Sequence, residues 1–134
     1  MGRIVFAYVA TAVVFLVLDG GWLALAGPRL YRPELGSLLA EKVRPLPAVI
    51  FYLLFVAGLV GFVVQPSLAA GWTRALVWGG AFGAIAYATY DLTCAATMRT
   101  WSVKVTVADI VWGAVASGIA SAAATAIVDR FARG

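Results

Sequence analysis

Four long runs of apolar residues are the feature that most constrains this chain. They cover about residues 4–26, 48–65, 74–98 and 105–128. A helix needs about 20 mostly apolar residues to cross the hydrocarbon core of a bilayer. Only 12% of the residues are charged, against roughly 25% in a soluble domain. The sequence therefore predicts an all-α polytopic membrane bundle of four transmembrane helices, formed by a single domain over residues 1–134.

The segment between the first two runs has the composition of a loop. Residues 27–47 contain four prolines and six charged residues. Within this segment, Leu35, Leu38 and Leu39 follow Pro33 at the spacing of one helix face. This pattern predicts a short interfacial helix in the first loop, lying on the membrane surface.

The charged and sulfur-containing residues exclude several classes of function. The net charge is +4, but the basic residues are scattered at the ends of the apolar runs, where Lys and Arg ordinarily flank membrane helices. The chain has no histidine and one cysteine, Cys94. Zinc, haem and disulfide frameworks therefore lack their usual ligands. We expect no nucleic-acid partner, no metal and no cofactor.

Three aspartates interrupt the apolar runs. Asp19 lies late in the first run, Asp91 late in the third and Asp109 early in the fourth. In an up-and-down bundle all three approach the same membrane face. Carboxylates at membrane depth are costly unless they are paired, hydrated or protonated. The nearest candidate partners are Arg99 and Lys104, on the bend between the third and fourth runs.

Helical spacing groups further side chains with these acids. Tyr87, Tyr90, Asp91 and Cys94 stand at i, i+3, i+4 and i+7 and therefore share one helix face. Together with the neighbouring helices they predict a half-open intramembrane pocket. Its candidate ligand- or proton-binding residues are Asp19, Trp22, Tyr87, Tyr90, Asp91, Thr93, Cys94, Arg99, Asp109 and Trp112. The alternative is that the acids only hold the helices together through hydrogen bonds.

Small residues form a ridge on the fourth helix. They recur at every fourth position after Asp109, as Gly113, Ser117, Ser121 and Thr125. Such ridges let a neighbouring helix approach closely. A second small cluster on the third helix consists of Gly79, Gly80 and Gly83. Because these surfaces exceed what one helix pair needs, we expect contact with a second protomer or another subunit.

The sequence around the acids carries a resemblance. Residues 90–97 read Tyr-Asp-Leu-Thr-Cys-Ala-Ala-Thr, and Trp101 and the segment 109–113 follow. This pattern resembles a family of small bacterial inner-membrane proteins catalogued only as a domain of unknown function. The resemblance implies a multi-pass fold of four spans and no activity. The family has Asn where this chain has Cys94, which removes an amide beside Asp91.

These features favour one function and leave two alternatives. The favoured hypothesis is binding of a small or lipidic molecule in the acid-lined pocket, with transport of that molecule or of a proton as an extension. One alternative is an accessory subunit of a larger membrane complex. The other is an enzyme acting on a lipid or isoprenoid, with Asp91 or Asp109 as general acid or base and Tyr90 as proton partner. The absence of histidine counts against the enzyme. The expected partners are membrane lipids and a homo-oligomer or larger complex.

Overall fold

The protein consists of four helices in the computed structural model, which describes residues 2–36 and 45–131. In chain order they are α1 (Gly2–Leu35), α2 (Pro45–Ser67), α3 (Trp72–Thr97) and α4 (Val103–Phe131). No strand occurs within these two ranges. The chain is therefore an all-α membrane bundle, as the sequence predicts.

Three of the four helices are long and apolar enough to cross a membrane. These are α1, α2 and α4, with 34, 23 and 29 residues. The 26 residues of α3 make it about 39 Å long at 1.5 Å per residue. Its length is sufficient, but glycines, threonines and tyrosines dilute its apolar residues. Among the described residues, the candidate spans by length and composition therefore number three, against the four expected from the sequence.

Helix α1 continues past Ala26, where the sequence predicts its end. It passes through a π-helical turn at Gly27–Tyr31 and a last α-helical turn at Arg32–Leu35. In a regular α-helix a proline ring clashes with the carbonyl four residues earlier. For Pro33 this is the Arg29 carbonyl, which lies in the wider π-helical turn. The wider turn therefore accommodates the proline ring. The predicted interfacial helix is thus continuous with α1 up to Leu35, and its remaining residues, 38 and 39, lie outside the described residues.

Helix α2 contains the same arrangement. Val60–Val64 form a π-helical turn that closes with the Gln65 N–H donating to the Val60 carbonyl. Pro66 follows at once, and the carbonyl four residues before it belongs to the widened turn. The helix therefore runs to Ser67, two residues beyond the predicted boundary.

Short connections join α2 to α3 and α3 to α4 and make each pair antiparallel neighbours. Between α2 and α3, Gly71 has a φ of 107°, a conformation that glycine adopts without steric cost, and its N–H donates to the Ser67 carbonyl at 2.7 Å. Between α3 and α4, the Ser102 hydroxyl accepts the Val105 N–H at 3.1 Å. This is an N-cap, which satisfies one of the free donors at the start of α4.

Helices α3 and α4 form the most extensive contact of the bundle. We call their line of contact the small-residue seam; it consists of Gly79, Gly83, Gly113, Ser117 and Ser121. A Cβ added at Gly79 would lie 2.6 Å from the Ser121 hydroxyl oxygen, and one at Gly83 would overlap the Gly113 carbonyl. The predicted ridge is therefore buried within the chain. The two small clusters pack against each other, so neither requires a second protomer to cover it.

The apolar core lies between this pair and the other two helices. At its centre, Phe15 of α1 and Phe55 of α2 lie 5.2 Å apart between ring centroids, and Leu59, Ala116 and Ala120 join them. A second cluster, towards the end that holds the chain's N-terminus, consists of Ala7, Val56, Val60, Val64, Ala124 and Val128. The side chains at the opposite end are larger and more polar, and the candidate site lies there.

Candidate functional site

The three acids Asp19, Asp91 and Asp109 lie in the interior at one end of the bundle. Asp19, Asp91 and Asp109 are 6%, 0% and 7% exposed. Asp91 lies six residues before the end of α3, and Asp109 lies six residues after the start of α4. Six residues of helix correspond to about 9 Å, so the two carboxyl groups lie at the same depth. Antiparallel packing therefore brings them together although 18 positions separate them in the sequence.

Asp19 accepts hydrogen bonds from two other helices. The Tyr52 hydroxyl on α2 donates to its Oδ2. The Trp112 indole on α4 donates to its Oδ1 at 3.1 Å. Both carboxylate oxygens of Asp19 thus have partners, and the side chain joins α1, α2 and α4.

Asp109 accepts a hydrogen bond from the part of α1 that extends beyond the predicted boundary. The Tyr31 hydroxyl donates to Asp109 Oδ1, and the Trp22 indole donates to the Tyr31 hydroxyl at 2.9 Å. Trp22 also stacks on Trp112, with ring centroids 4.8 Å apart and planes inclined by 9°. Through this stack and the Trp112 bond to Asp19, the two acids belong to one connected group of side chains.

Asp91 differs from the other two acids. It lies beside Asp109, but neither of its oxygens receives a hydrogen bond within the described part of the chain. Arg99, the expected partner, is exposed in the connection between α3 and α4 and does not line the site. Tyrosine and tryptophan side chains donate to Asp19 and Asp109. The structure thus gives these acids neutral donors in place of the Arg99 or Lys104 side chain that the sequence favours.

A partly open cavity of about 480 Å³ occupies this end of the bundle. All four helices contribute to its walls. Its size falls within the range of small-molecule sites. Its lining residues are Asp19, Trp22, Leu23, Tyr31, Leu35, Phe51, Tyr52, Tyr87, Tyr90, Trp101, Asp109 and Trp112.

The structure brings together most but not all of the residues named from the sequence. Those that line the cavity are Asp19, Trp22, Tyr87, Tyr90, Asp109 and Trp112. Asp91 is fully buried beside Asp109 and does not line the cavity. Thr93 is exposed, and its hydroxyl donates to the Thr89 carbonyl at 2.5 Å. Cys94 is a half-buried free thiol, and neither it nor Arg99 lines the cavity.

Sequence reasoning missed the two tyrosines that bind the acids. Tyr52 lies near the start of α2, at the same depth as the late residues of α1, so antiparallel geometry was a usable signal for it. Tyr31 lies in a segment whose composition indicates a loop, and only the continuation of α1 places it near Asp109. The other lining residues not named as candidates are Leu23, Leu35, Phe51 and Trp101.

The chemistry of the cavity follows from its side chains. It offers carboxylate oxygens as acceptors, hydroxyl and indole groups as donors, and aromatic rings as apolar walls. Within residues 2–36 and 45–131, no three His, Cys, Asp or Glu residues come together as metal ligands. The arrangement is suited to binding, with polar groups at fixed positions on an apolar surface.

Comparison with known proteins agrees with this architecture. No curated protein and no solved structure matches the chain. A family model described as a predicted membrane protein, DUF2177, matches residues 4–126 of the 134. The match covers the end of the bundle with the three acids and nearly all of α1 and α4, and the chain therefore belongs to this family of predicted membrane proteins.

Proposed function

We propose that this protein binds a small or lipidic molecule in the cavity between its four helices. The observation that carries the proposal is a cavity of about 480 Å³ with two carboxylates, Asp19 and Asp109, in an otherwise largely aromatic and aliphatic wall. Intramembrane ionisable residues are costly and are commonly retained for function. Transport of the bound molecule, or of a proton, is an extension of this proposal that requires access from both faces.

The rim of the cavity supports entry from the bilayer. Three rim side chains, Leu23, Phe51 and Tyr90, are 48%, 43% and 59% exposed. They are apolar or amphipathic and lie on α1, α2 and α3. A molecule with an apolar body can therefore reach the carboxylates from the lipid side without first crossing a polar surface.

The proposal includes a topology of four spans in a single domain. Helix α3 packs along α4 over most of its length, and α4 is itself a candidate span. A helix held alongside a spanning neighbour shares its depth in the membrane. We therefore place all four helices across the bacterial inner membrane as a multi-pass protein.

The proposed partners are membrane lipids and a second copy of the chain or a larger complex. Large apolar side chains are exposed along α1 and α2, among them Val17, Leu25, Leu54 and Phe62. In a membrane this surface contacts lipid or another apolar helix. Because the small-residue seam is covered within the chain, association through it is no longer needed, and these outer faces are the surfaces available to a partner.

A cavity-filling substitution tests the binding proposal. The probe is N-phenyl-1-naphthylamine, an uncharged compound whose fluorescence rises in apolar sites, added to the full chain in lipid nanodiscs. Leu23→Trp places a large side chain across the cavity. Leu25→Trp is its matched control, since Leu25 lies on the same helix, is also exposed and does not line the cavity.

The expected result is saturable binding of the probe by the wild-type chain and by Leu25→Trp, and loss of that binding in Leu23→Trp. Empty nanodiscs supply the background from partition into lipid, and excitation outside the tryptophan band avoids a signal from the new side chain. Equal probe signals from wild-type, Leu23→Trp and empty nanodiscs would show that the cavity takes up no molecule of this kind.

A further inference from the structure

The hydrogen-bond partners of the cavity acids are all uncharged. Asp19 is bound by a tyrosine hydroxyl and an indole, and Asp109 by a tyrosine hydroxyl. Such donors satisfy the oxygens but carry no positive charge. No Lys or Arg side chain of the described residues lines the cavity. Any negative charge on these carboxylates is therefore uncompensated by the part of the walls that residues 2–36 and 45–131 form.

The aromatic rings add to this preference for positive charge. The face of an aromatic ring is the negative end of its quadrupole, and cations are attracted to it within about 6 Å of the centroid. Trp22, Tyr31, Tyr52, Tyr87 and Trp112 all line the cavity. Carboxylates and any ring face that is open to the cavity thus favour the same sign of charge in a ligand.

Asp91 is a second, independent observation in the same direction. It is fully buried, and both of its oxygens lack a donor among the described residues. It lies beside Asp109, which lines the cavity, and does not line the cavity itself. Two carboxyl groups side by side repel each other when both are charged, and a cation in the adjacent cavity would offset that repulsion.

We infer that the cavity binds a monovalent organic cation, of the ammonium or phosphonium type, that carries an apolar body. This inference rests on the proposed function and adds the charge and class of the ligand. The cationic centre lies between the carboxylates of Asp19 and Asp109, and the apolar body lies against the rings and the rim. Both a free amphiphilic cation and the ammonium headgroup of a lipid have this chemistry.

The test compares two probes of nearly the same shape and opposite charge. Tetraphenylphosphonium and tetraphenylborate are titrated separately into the full chain in nanodiscs, with empty nanodiscs subtracted. Binding is followed by calorimetry. We expect the wild-type chain to bind the phosphonium at least about tenfold more tightly than the borate, since a unit charge within several ångströms of a carboxylate gains that much at the effective dielectric of a protein.

Charge-removing variants locate the preference. Asp109→Asn and Asp19→Asn keep the size of each side chain and should weaken phosphonium binding by about 10- to 100-fold, with no loss for the borate. Asp129→Asn is the matched control. It removes the same charge from α4, but 20 residues from Asp109, which is about 30 Å along the helix, and it should leave both affinities unchanged. Circular dichroism and size-exclusion chromatography establish whether each variant is folded. If one of the two aspartate variants does not fold, the other still tests the inference.

The lipid composition of the nanodisc distinguishes the two sources of the cation. Each affinity is expressed against the phosphonium concentration at the disc surface, which partition into empty discs of the same lipid gives, because anionic phosphatidylglycerol attracts the probe. If a lipid headgroup occupies the site, phosphonium binding on this scale will be weaker in discs made with choline lipids than in discs made with phosphatidylglycerol alone. If the ligand is a free cation, the affinities on this scale will agree. Either result supports the inference and selects the source.

The inference and the proposed function fail in different ways. Equal binding of phosphonium and borate, both lost in Leu23→Trp, would overturn the cation preference and leave the cavity as a binding site. Phosphonium affinity unchanged in both Asp19→Asn and Asp109→Asn would likewise overturn it. If the chain binds neither ion, the cation inference is rejected. The binding site itself is rejected only if, in addition, N-phenyl-1-naphthylamine shows no binding that depends on the cavity.

Discussion

The same two helices form a tightly packed seam at one level and part of a cavity at another. Along α3 and α4, Gly79 faces Ser121 and Gly83 faces Ser117, and the backbones approach closely. One turn further, the ring of Tyr87 lies over Gly113. One turn beyond that, Asp91 meets Asp109.

The comparison shows how side-chain size and polarity along one antiparallel register produce two different regions. Where both partners are small, the helices close and exclude lipid, as in other membrane helix pairs. Where the side chains become large and acidic, the space widens, and α1 and α2 supply the tyrosines and tryptophans that bind the acids. The seam therefore holds the helix pair in place while the cavity end keeps room for a ligand.

The largest expected effect comes from adding one methyl group to the seam. Gly83→Ala places a Cβ against the Gly113 carbonyl, a backbone atom that cannot move alone. We expect a loss of about 3 kcal/mol in unfolding free energy, the upper part of the range for overpacking. Unfolding in mixed detergent and sodium dodecyl sulfate, followed by circular dichroism, measures it.

The neighbouring glycine provides the control for that substitution. A Cβ at Gly80 would lie 3.6 Å from the Ala114 carbonyl oxygen, an ordinary contact. Gly80→Ala should therefore be neutral, or gain up to about 1 kcal/mol from the higher helix propensity of alanine. If Gly83→Ala and Gly80→Ala unfold at the same detergent composition, the seam is not close-packed.

A second prediction concerns the size of a seam side chain. Ser117 is fully buried, and its hydroxyl has no partner in the described part of the chain. Ser117→Leu should cost about 2 kcal/mol through overpacking, whereas Ser117→Ala should be neutral or slightly stabilising because it removes an unpartnered hydroxyl. The same unfolding assay applies. If Ser117→Leu and Ser117→Ala are both as stable as the wild type, Ser117 does not lie in the seam.

At the cavity end, removal of one hydroxyl should have a smaller effect. Tyr52→Phe deletes the donor to Asp19 and keeps the ring, so we expect a loss of about 1 kcal/mol, typical of one hydrogen bond. Tyr8→Phe is the matched change at the other end of the bundle, where the hydroxyl donates to the Leu53 carbonyl at 2.9 Å in an exposed setting. It should cost about half as much. A larger loss for Tyr8→Phe would contradict the importance of the Asp19 bond.

Asp91→Asn is expected to change stability little. The new amide can donate to Asp109, so the variant should stay within about 1 kcal/mol of the wild type. Because Asp91 does not line the cavity, phosphonium affinity should fall only about threefold, less than for Asp109→Asn. Calorimetry and the unfolding assay together measure both quantities. If Asp91→Asn unfolds the bundle, this acid serves structure and not the cavity.

Particular residues show how far the sequence could predict the site. The depth of Asp19, Asp91 and Asp109 follows from the up-and-down order of the helices and could be deduced from the sequence alone. The ridge from Gly113 to Thr125 was visible as a four-residue period. The helix that packs against this ridge could not be predicted, because small residues allow close packing equally well with a helix of the same chain and with a helix of another chain.

The hydrogen-bond partners of the acids could not be deduced. Arg99 and Lys104 are close to Asp91 in sequence, and simple charge pairing favours them. The structure instead uses Tyr31 and Tyr52, which are distant in sequence. Tyr31 reaches Asp109 only because a π-helical turn lets α1 pass its prolines, a local adjustment that composition does not reveal.

Sequence by itself determined the all-α membrane architecture, because continuous apolar runs of about 20 residues fit spanning helices, which satisfy their own backbone hydrogen bonds in lipid, and not the short alternating strands of a barrel. It also determined which end of the bundle holds the acids, since helix order alone sets that depth. Only the tertiary structure decided which donors reach Asp19 and Asp109, and that the small residues pack within one chain. These contacts depend on helix rotation and on where each helix ends, and both are set by the packing of all four helices together.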